Sequence, residues 1–130
     1  MQKLIKRPSV FNFLKSTHTK MEELKDEKGF DVLLELSESH PIVIFKHSNT
    51  CPTSARAYDK MKQALTDEVI PYKRTYLVIV QNSRRVSDYI EEKTGITHES
   101  PQVIVIKDGI AVYDASHGTI DPSLIPNYLS

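Results

Sequence analysis

Pro41-Ile42-Val43-Ile44-Phe45 runs straight into Lys46-His47-Ser48-Asn49-Thr50-Cys51-Pro52-Thr53-Ser54, and no other stretch constrains the fold of this chain as much. Ile42 to Phe45 are apolar without interruption, the pattern of a strand buried on both faces rather than one with a wet side. A short polar loop follows. After it, Ala57, Tyr58, Met61, Ala64 and Leu65 recur at helical spacing, with Arg56, Lys60 and Lys62 facing outward and an end expected near Asp67. A strand buried on both faces needs helices over both of them, so the chain reads as α/β.

Cys51, the only cysteine, stands where the loop meets the helix. Pro52 suits the first helical position, because its φ is already helical and its missing N–H has no bond to lose there. Cys51 is then the N-cap. Unpaired amides and the helix dipole favour negative charge at that point, so the sulfur is expected to titrate below the roughly 8.5 of a free thiol. Ser54 lies one turn up the same face and is placed to donate its hydroxyl to the sulfur. A lone cysteine is more commonly a small hydrophobe in a core. Strand end, polar loop, proline and hydroxyl together favour the reactive reading. With no second cysteine the chain cannot close an internal disulfide, so a redox cycle must pass through a mixed disulfide resolved by an external thiol.

The chain has 130 residues, suited to one domain, and its 39% hydrophobic and 26% charged residues are those of a soluble globular protein. No apolar run approaches the roughly 20 residues of a membrane span. Net charge is zero but unevenly divided. Met1 to Met21 hold Lys3, Lys6, Arg7, Lys15 and Lys20 with no acid, leaving 12 of the 17 bases to face all 17 acids in the remainder. Residues 1–20 are therefore expected to be a basic extension and residues 21–130 the folded domain. The extension is not expected to be a secretory signal; a transit-peptide or anionic-surface role is the alternative to a loosely docked tail. A single cysteine fits a reducing cytoplasm.

Along the domain, Met21 to Lys25 reads as a short strand, and Asp26 as the cap of a helix to about Ser37 with Phe30, Leu33 and Leu34 inward. Tyr72 to Val80, after Pro71, reads as a strand with Leu77 to Val80 buried on both faces. Asn82 or Ser83 caps a third helix carrying Val86, Tyr89 and Ile90, ended by Gly95. Arg84 and Arg85 read as a solvated surface. Gln102 to Ile106, a turn at Asp108-Gly109 and Ile110 to Asp114 form a hairpin. Asp121-Pro122 opens a last helix with Leu124, Ile125, Tyr128 and Leu129 in a stripe and Pro126 tolerated near its start. The order βαβαβαββα implies a mixed central sheet flanked by helices.

That order is the thioredoxin fold. K-H-S-N-T-C-P-T-S, then H-E-S-P-Q leading into a strand, then a hairpin and S-H-G-T-I, resembles the monothiol bacilliredoxins, the YtxJ type of bacillithiol-system redox protein, from about Met21 to Ser130. The resemblance implies that Cys51 strips bacillithiol from mixed disulfides on cytosolic proteins, with bacillithiol as co-substrate and no bound cofactor or metal. It implies a cis Pro101 opposite the cysteine, with the Ser100 backbone pairing in β fashion with the incoming thiol; Pro52 and Ser54, by their helical positions, and Thr50, beside the sulfur as a candidate donor, are its other expected supports. Lys46 and His47 are candidates to supply positive charge to the thiolate and the thiol's carboxylates, His47 equally reading as a surface histidine. Thr53 and Gln102 are further candidates for binding the thiol, and His117 and Gly118 stand where related glutaredoxins hold the carboxylate end of theirs. Thr50, Thr53, His98 and Glu99 also read as plain loop polar residues, and without the fold argument Pro101 reads as a trans, strand-opening proline. A monomer with no nucleic-acid or membrane partner is expected.

Two other readings stand beside this one. A glutaredoxin-like reductase of glutathione or coenzyme A mixed disulfides differs only in the thiol recognised, and a thioredoxin-fold adaptor would carry an inert Cys51. An iron–sulfur carrier is disfavoured, because C-P-T-S lacks the Gly and Phe of the C-G-F-S found in monothiol glutaredoxins.

Overall fold

The computed structural model describes residues 20–130; the basic extension, apart from Lys20, lies outside them. Eight regular elements precede a 3-10 tail: β1 (Glu22–Glu23), α1 (Glu27–Leu36), β2 (Ile42–His47), α2 (Pro52–Thr66), β3 (Thr75–Ile79), α3 (Arg84–Thr94), β4 (Gln102–Lys107) and β5 (Ile110–Ser116). The strands form one sheet in the order β1-β3-β2-β4-β5. β1, β3 and β2 run parallel, and β4 and β5 are antiparallel additions.

The uninterrupted apolar run of β2 is explained by the two cores it separates. Val43 and Phe45 pack with Ala57, Met61 and Leu65 of α2 and with Ile120 and Ile125. Ile42 and Ile44 pack with Phe30 and Leu33 of α1 and Val86 and Ile90 of α3. All four β2 residues are buried, as period-two alternation between two covered faces requires. Local chemistry sets the ends of the elements. Asp26 accepts the Gly29 N–H at 2.7 Å to start α1, and Gly95 closes α3 at φ 74°. Asp108 (φ 52°) and Gly109 (φ 75°) make the left-handed turn that a tight hairpin needs.

Four expectations are corrected, the first being that β2 runs on through Lys46 to His47 instead of giving way to a polar loop after Phe45. Tyr72–Arg74 is a 3-10 turn rather than the start of β3, because the Pro71 carbonyl accepts both the Arg74 N–H at 3.1 Å and the Thr75 hydroxyl at 2.7 Å. Of Leu77 to Val80 only Leu77 and Val78 are buried; Ile79 and Val80 lie at the open end of β3 and are half-exposed. The last helix, Pro122–Tyr128, winds as 3-10, since Pro126 has no N–H to give the turn before it, and Leu124 turns to solvent at 43% exposure. Among the described residues, no helix is long and apolar enough to cross a membrane.

Candidate active site

Strand register gathers the site. His47 pairs with Ile79, Lys46 with Gln102 and Gln102 with Ser116, so the loops after β2, β3 and β5 and the loop before β4 all leave from one end of the sheet. Cys51, Gln81, Pro101 and His117 belong to these four loops. Placing chemistry on loops held by a rigid sheet end is the usual arrangement for an exchange site.

Cys51 is the N-cap of α2, half-buried, with extended φ −108° and ψ 123°, and Pro52 occupies the first turn as expected. Its Sγ takes no capping bond from the helix amides. The Ser54 hydroxyl does not serve the sulfur either. Fully buried, it lies 2.8 Å from His47 Nδ1 and accepts the Ser48 N–H at 2.9 Å. The expected Ser54–Cys51 bond is thus replaced by a brace between the first turn of α2 and the end of β2. Thr53 Oγ1 is held by Arg56 at 3.3 Å, and Thr50 Oγ1 by Gln81 at 3.2 Å.

Gln81 was not foreseen. Its amide accepts the Asn49 N–H at 3.2 Å and donates to Ser48 Oγ at 2.8 Å and to Thr50 Oγ1, clamping the three residues before Cys51. It lies some thirty residues away in sequence, so only the parallel β2–β3 register reveals it.

Lys46 and His47, expected as candidates to supply charge to the sulfur, make their bonds elsewhere. Strand alternation sends them to opposite faces. Lys46 shares the α1/α3 side with Ile42 and Ile44, is 0% exposed, and donates to the Ser87 carbonyl at 3.1 Å, with His98 Nδ1 at 3.2 Å. Burial lowers its pKa to about 8, against the opposing pull of Glu91 and Asp88. His47 stacks on Tyr58 at 4.7 Å and on Phe45 at 5.8 Å, and burial lowers its pKa, which favours the neutral ring. Its Nδ1 accepting from Ser54, while Ser54 accepts from Ser48, satisfies all three groups with an uncharged histidine.

The Ser100–Pro101 peptide is cis, as the resemblance implied. Gln102 is buried, and its side chain faces its own loop rather than a ligand: Nε2 donates to the Thr97 carbonyl at 3.0 Å and Oε1 accepts the Glu99 N–H at 3.4 Å. Ser100 Oγ is the one buried side-chain polar atom without a partner among the described residues. His117 donates its backbone N–H to the Pro101 carbonyl at 3.0 Å, and its Nε2 lies 2.8 Å from Glu99, so the imidazole already has an acid beside it. Gly118 lines a groove of about 670 Å³ together with Lys60, Gln63 and Leu124, whose walls include no residue of the Cys51 loop.

A half-exposed thiol on a helix start, a clamped approach loop, and a proline loop opening β4 at the same end of the sheet can form and release a mixed disulfide, and the chain has no other sulfhydryl to displace it. Comparison with known proteins agrees. A solved structure described as a candidate oxidoreductase with a thioredoxin fold is 34% identical, with a TM-score of 0.72 over 82% of this chain and 91% of that one. Thioredoxin from Fasciola hepatica is 18% identical (TM-score 0.64, 83% and 95% covered), and mitochondrial thioredoxin 3 from Saccharomyces cerevisiae is 15% identical (TM-score 0.64, 87% and 96% covered); these two show the fold alone. The sequence pattern of the monothiol bacilliredoxin BrxC matches residues 22–125. The chain belongs to the monothiol bacilliredoxin family, thioredoxin-fold thiol–disulfide oxidoreductases, and its one cysteine fits the monothiol pattern.

Proposed function

We propose that this protein removes bacillithiol from protein mixed disulfides, with Cys51 as nucleophile and free bacillithiol as co-substrate. The Cys51 thiolate attacks the bacillithiol sulfur; the Cys51–bacillithiol disulfide forms, the old disulfide breaks, and the protein leaves as a thiolate that takes up a proton. A second bacillithiol thiolate then attacks the carried bacillithiol sulfur, releases Cys51 and departs as the bacillithiol disulfide, to be reduced by a separate enzyme. The number of disulfides is the same before and after each step, so no bound redox cofactor is needed. Thiol-modified cytosolic proteins are the partners of this reading, and the cytoplasm its setting.

The observation that carries the reading is the lone half-exposed sulfur at the start of α2 in a chain with no second cysteine, within the bacilliredoxin family. Gln81 and Thr50 hold the approach loop and Pro52 sets the helix start. The Ser100 and Pro101 main chain offers the surface along which the partner disulfide is laid.

The test offers the purified protein one target capped in turn with bacillithiol, glutathione or coenzyme A. Intact mass is expected to show a single bacillithiol adduct on Cys51, with fastest release from the bacillithiol-capped target. Cys51→Ser is expected to fold and to release nothing. Turnover by Cys51→Ser, or a preference for glutathione or coenzyme A, overturns the assignment.

A further inference from the structure

We propose that buried Lys46 and Ser87 and half-buried His98 form a polar latch that positions the Thr97–Pro101 loop for partner thiols, making Lys46 a positioning residue that never touches the substrate. The proposal rests on the reading of that loop as the surface that receives the mixed disulfide.

An amine at 0% exposure, where the pattern of Ile42 and Ile44 calls for a third aliphatic, is costly unless its protons are paired. Its partners lie on α3 and on the loop before β4. Nζ donates to the Ser87 carbonyl at 3.1 Å and meets His98 Nδ1 at 3.2 Å, while Ser87 Oγ sits 2.9 Å from the same Nδ1. An ammonium has only donors, so Nδ1 must accept, and His98 is therefore the neutral tautomer with its proton on Nε2.

Register adds the second strut. Lys46 and Gln102 are cross-strand partners, and directly opposed residues of an antiparallel pair point to the same face. Both are buried polar residues at the ends of otherwise apolar strands, and both spend their side chains on one loop: Gln102 on Thr97 and Glu99, Lys46 on His98 between them. Pro101 follows three residues after His98. The sheet end thus grips the loop at three successive residues and delivers Ser100 and Pro101 in a fixed position.

The latch carries a pH dependence whose sign follows from its chemistry. Burial is the largest cause holding His98 below its ordinary pKa of 6.5; Lys46 and Arg84 add to it, and Asp88 and Glu91 of α3 oppose it. His98 is neutral, and the latch closed, above 6.5. As pH falls through the depressed value, the new proton on Nδ1 faces the ammonium and the acceptor is lost. On the alkaline side, Lys46 becomes an amine above about 8 yet keeps protons for both acceptors.

Nitrogen-15 spectra of the full chain read the imidazole of His98 directly: an Nε2–H tautomer with a titration below 6.5 is expected, moving upward in Lys46→Met. Exchange with whichever capped target the protein turns over is then divided by the Cys51 alkylation rate at each pH, which removes the ionisation of the thiol itself. Lys46→Met and His98→Leu are expected to lower that ratio roughly ten- to a hundredfold, the range for a reacting group misplaced by up to about 1 Å. His98→Asn, which keeps an acceptor, is expected to recover most of it and to flatten the acid limb. An Nδ1–H tautomer, a wild-type ratio in folded Lys46→Met or His98→Leu, or alkylation that falls in step with exchange overturns the latch. The two His98 variants decide the question if Lys46→Met does not fold. A failure of bacillithiol specificity leaves these readouts intact, so the two ideas fail separately.

Discussion

Replacing Ser54 with alanine separates the two roles a hydroxyl can play one turn above a helix-capping cysteine. In this structure the oxygen is fully buried and bridges His47 Nδ1 at 2.8 Å and the Ser48 N–H at 2.9 Å. Alanine leaves both partners without that bond in a half-buried setting. Each such loss costs about 1 kcal/mol, at the low end of the range for an unsatisfied buried group. Alanine's better helix propensity returns up to about 0.5 kcal/mol. The net loss is about 1.5–2 kcal/mol, which for a domain of this size lowers the midpoint of thermal unfolding by about 6–10 °C. Urea denaturation with an unchanged slope measures the first figure, and Cys51 alkylation followed against pH measures any effect on the sulfur. The structure predicts a destabilised protein whose alkylation profile is unmoved. Stability within about 0.5 kcal/mol of the parent, together with a shifted alkylation midpoint, would show that the hydroxyl serves the thiolate and refute the brace.

Gln81→Ala removes the clamp on Ser48, Asn49 and Thr50 but touches only exposed bonds, so stability is expected to stay within about 0.5 kcal/mol while the Asn49 amide exchanges faster and mixed-disulfide turnover falls; unchanged Asn49 protection would contradict it. Ser100→Ala deletes the unpartnered buried hydroxyl and is expected to raise stability by about 1 kcal/mol in urea denaturation, the penalty such a group carries. A measured loss would mean that the hydroxyl has a partner in solution.

Local signals were strong enough in the sequence to place most element boundaries. The proline after Cys51, the aspartate before Glu27, the glycine after Thr94 and the Asp108-Gly109 pair each act through their own backbone, and each stands at the boundary its chemistry dictates. The site's side chains were less legible, because their partners lie across the sheet. Gln81 meets the Cys51 loop only through the parallel pairing of β2 with β3, and Ser87 meets Lys46 from a helix forty-one residues on. Ser54 misled for a different reason. Helical spacing puts it above the sulfur, but spacing cannot say that His47 and the Ser48 amide compete for the same oxygen and reach it first.

Lys46 and His47 show what one misplaced strand end changes. With β2 taken to stop at Phe45, the two residues belong to a polar loop and both are free to face the cysteine. With β2 running to His47, their directions are fixed by alternation alone: Phe45 and His47 to the α2 side, Ile44 and Lys46 to the α1/α3 side. His47 then braces the first turn of α2 through Ser54 and stacks on Tyr58 further along the same helix. Lys46 braces the loop of Pro101 through His98, beside its cross-strand partner Gln102. Two consecutive residues thus hold the two halves of the site from opposite faces of one strand. Both side chains bond away from the sulfur, and the distance between the thiol and the Pro101 loop is set by the sheet that both are anchored to.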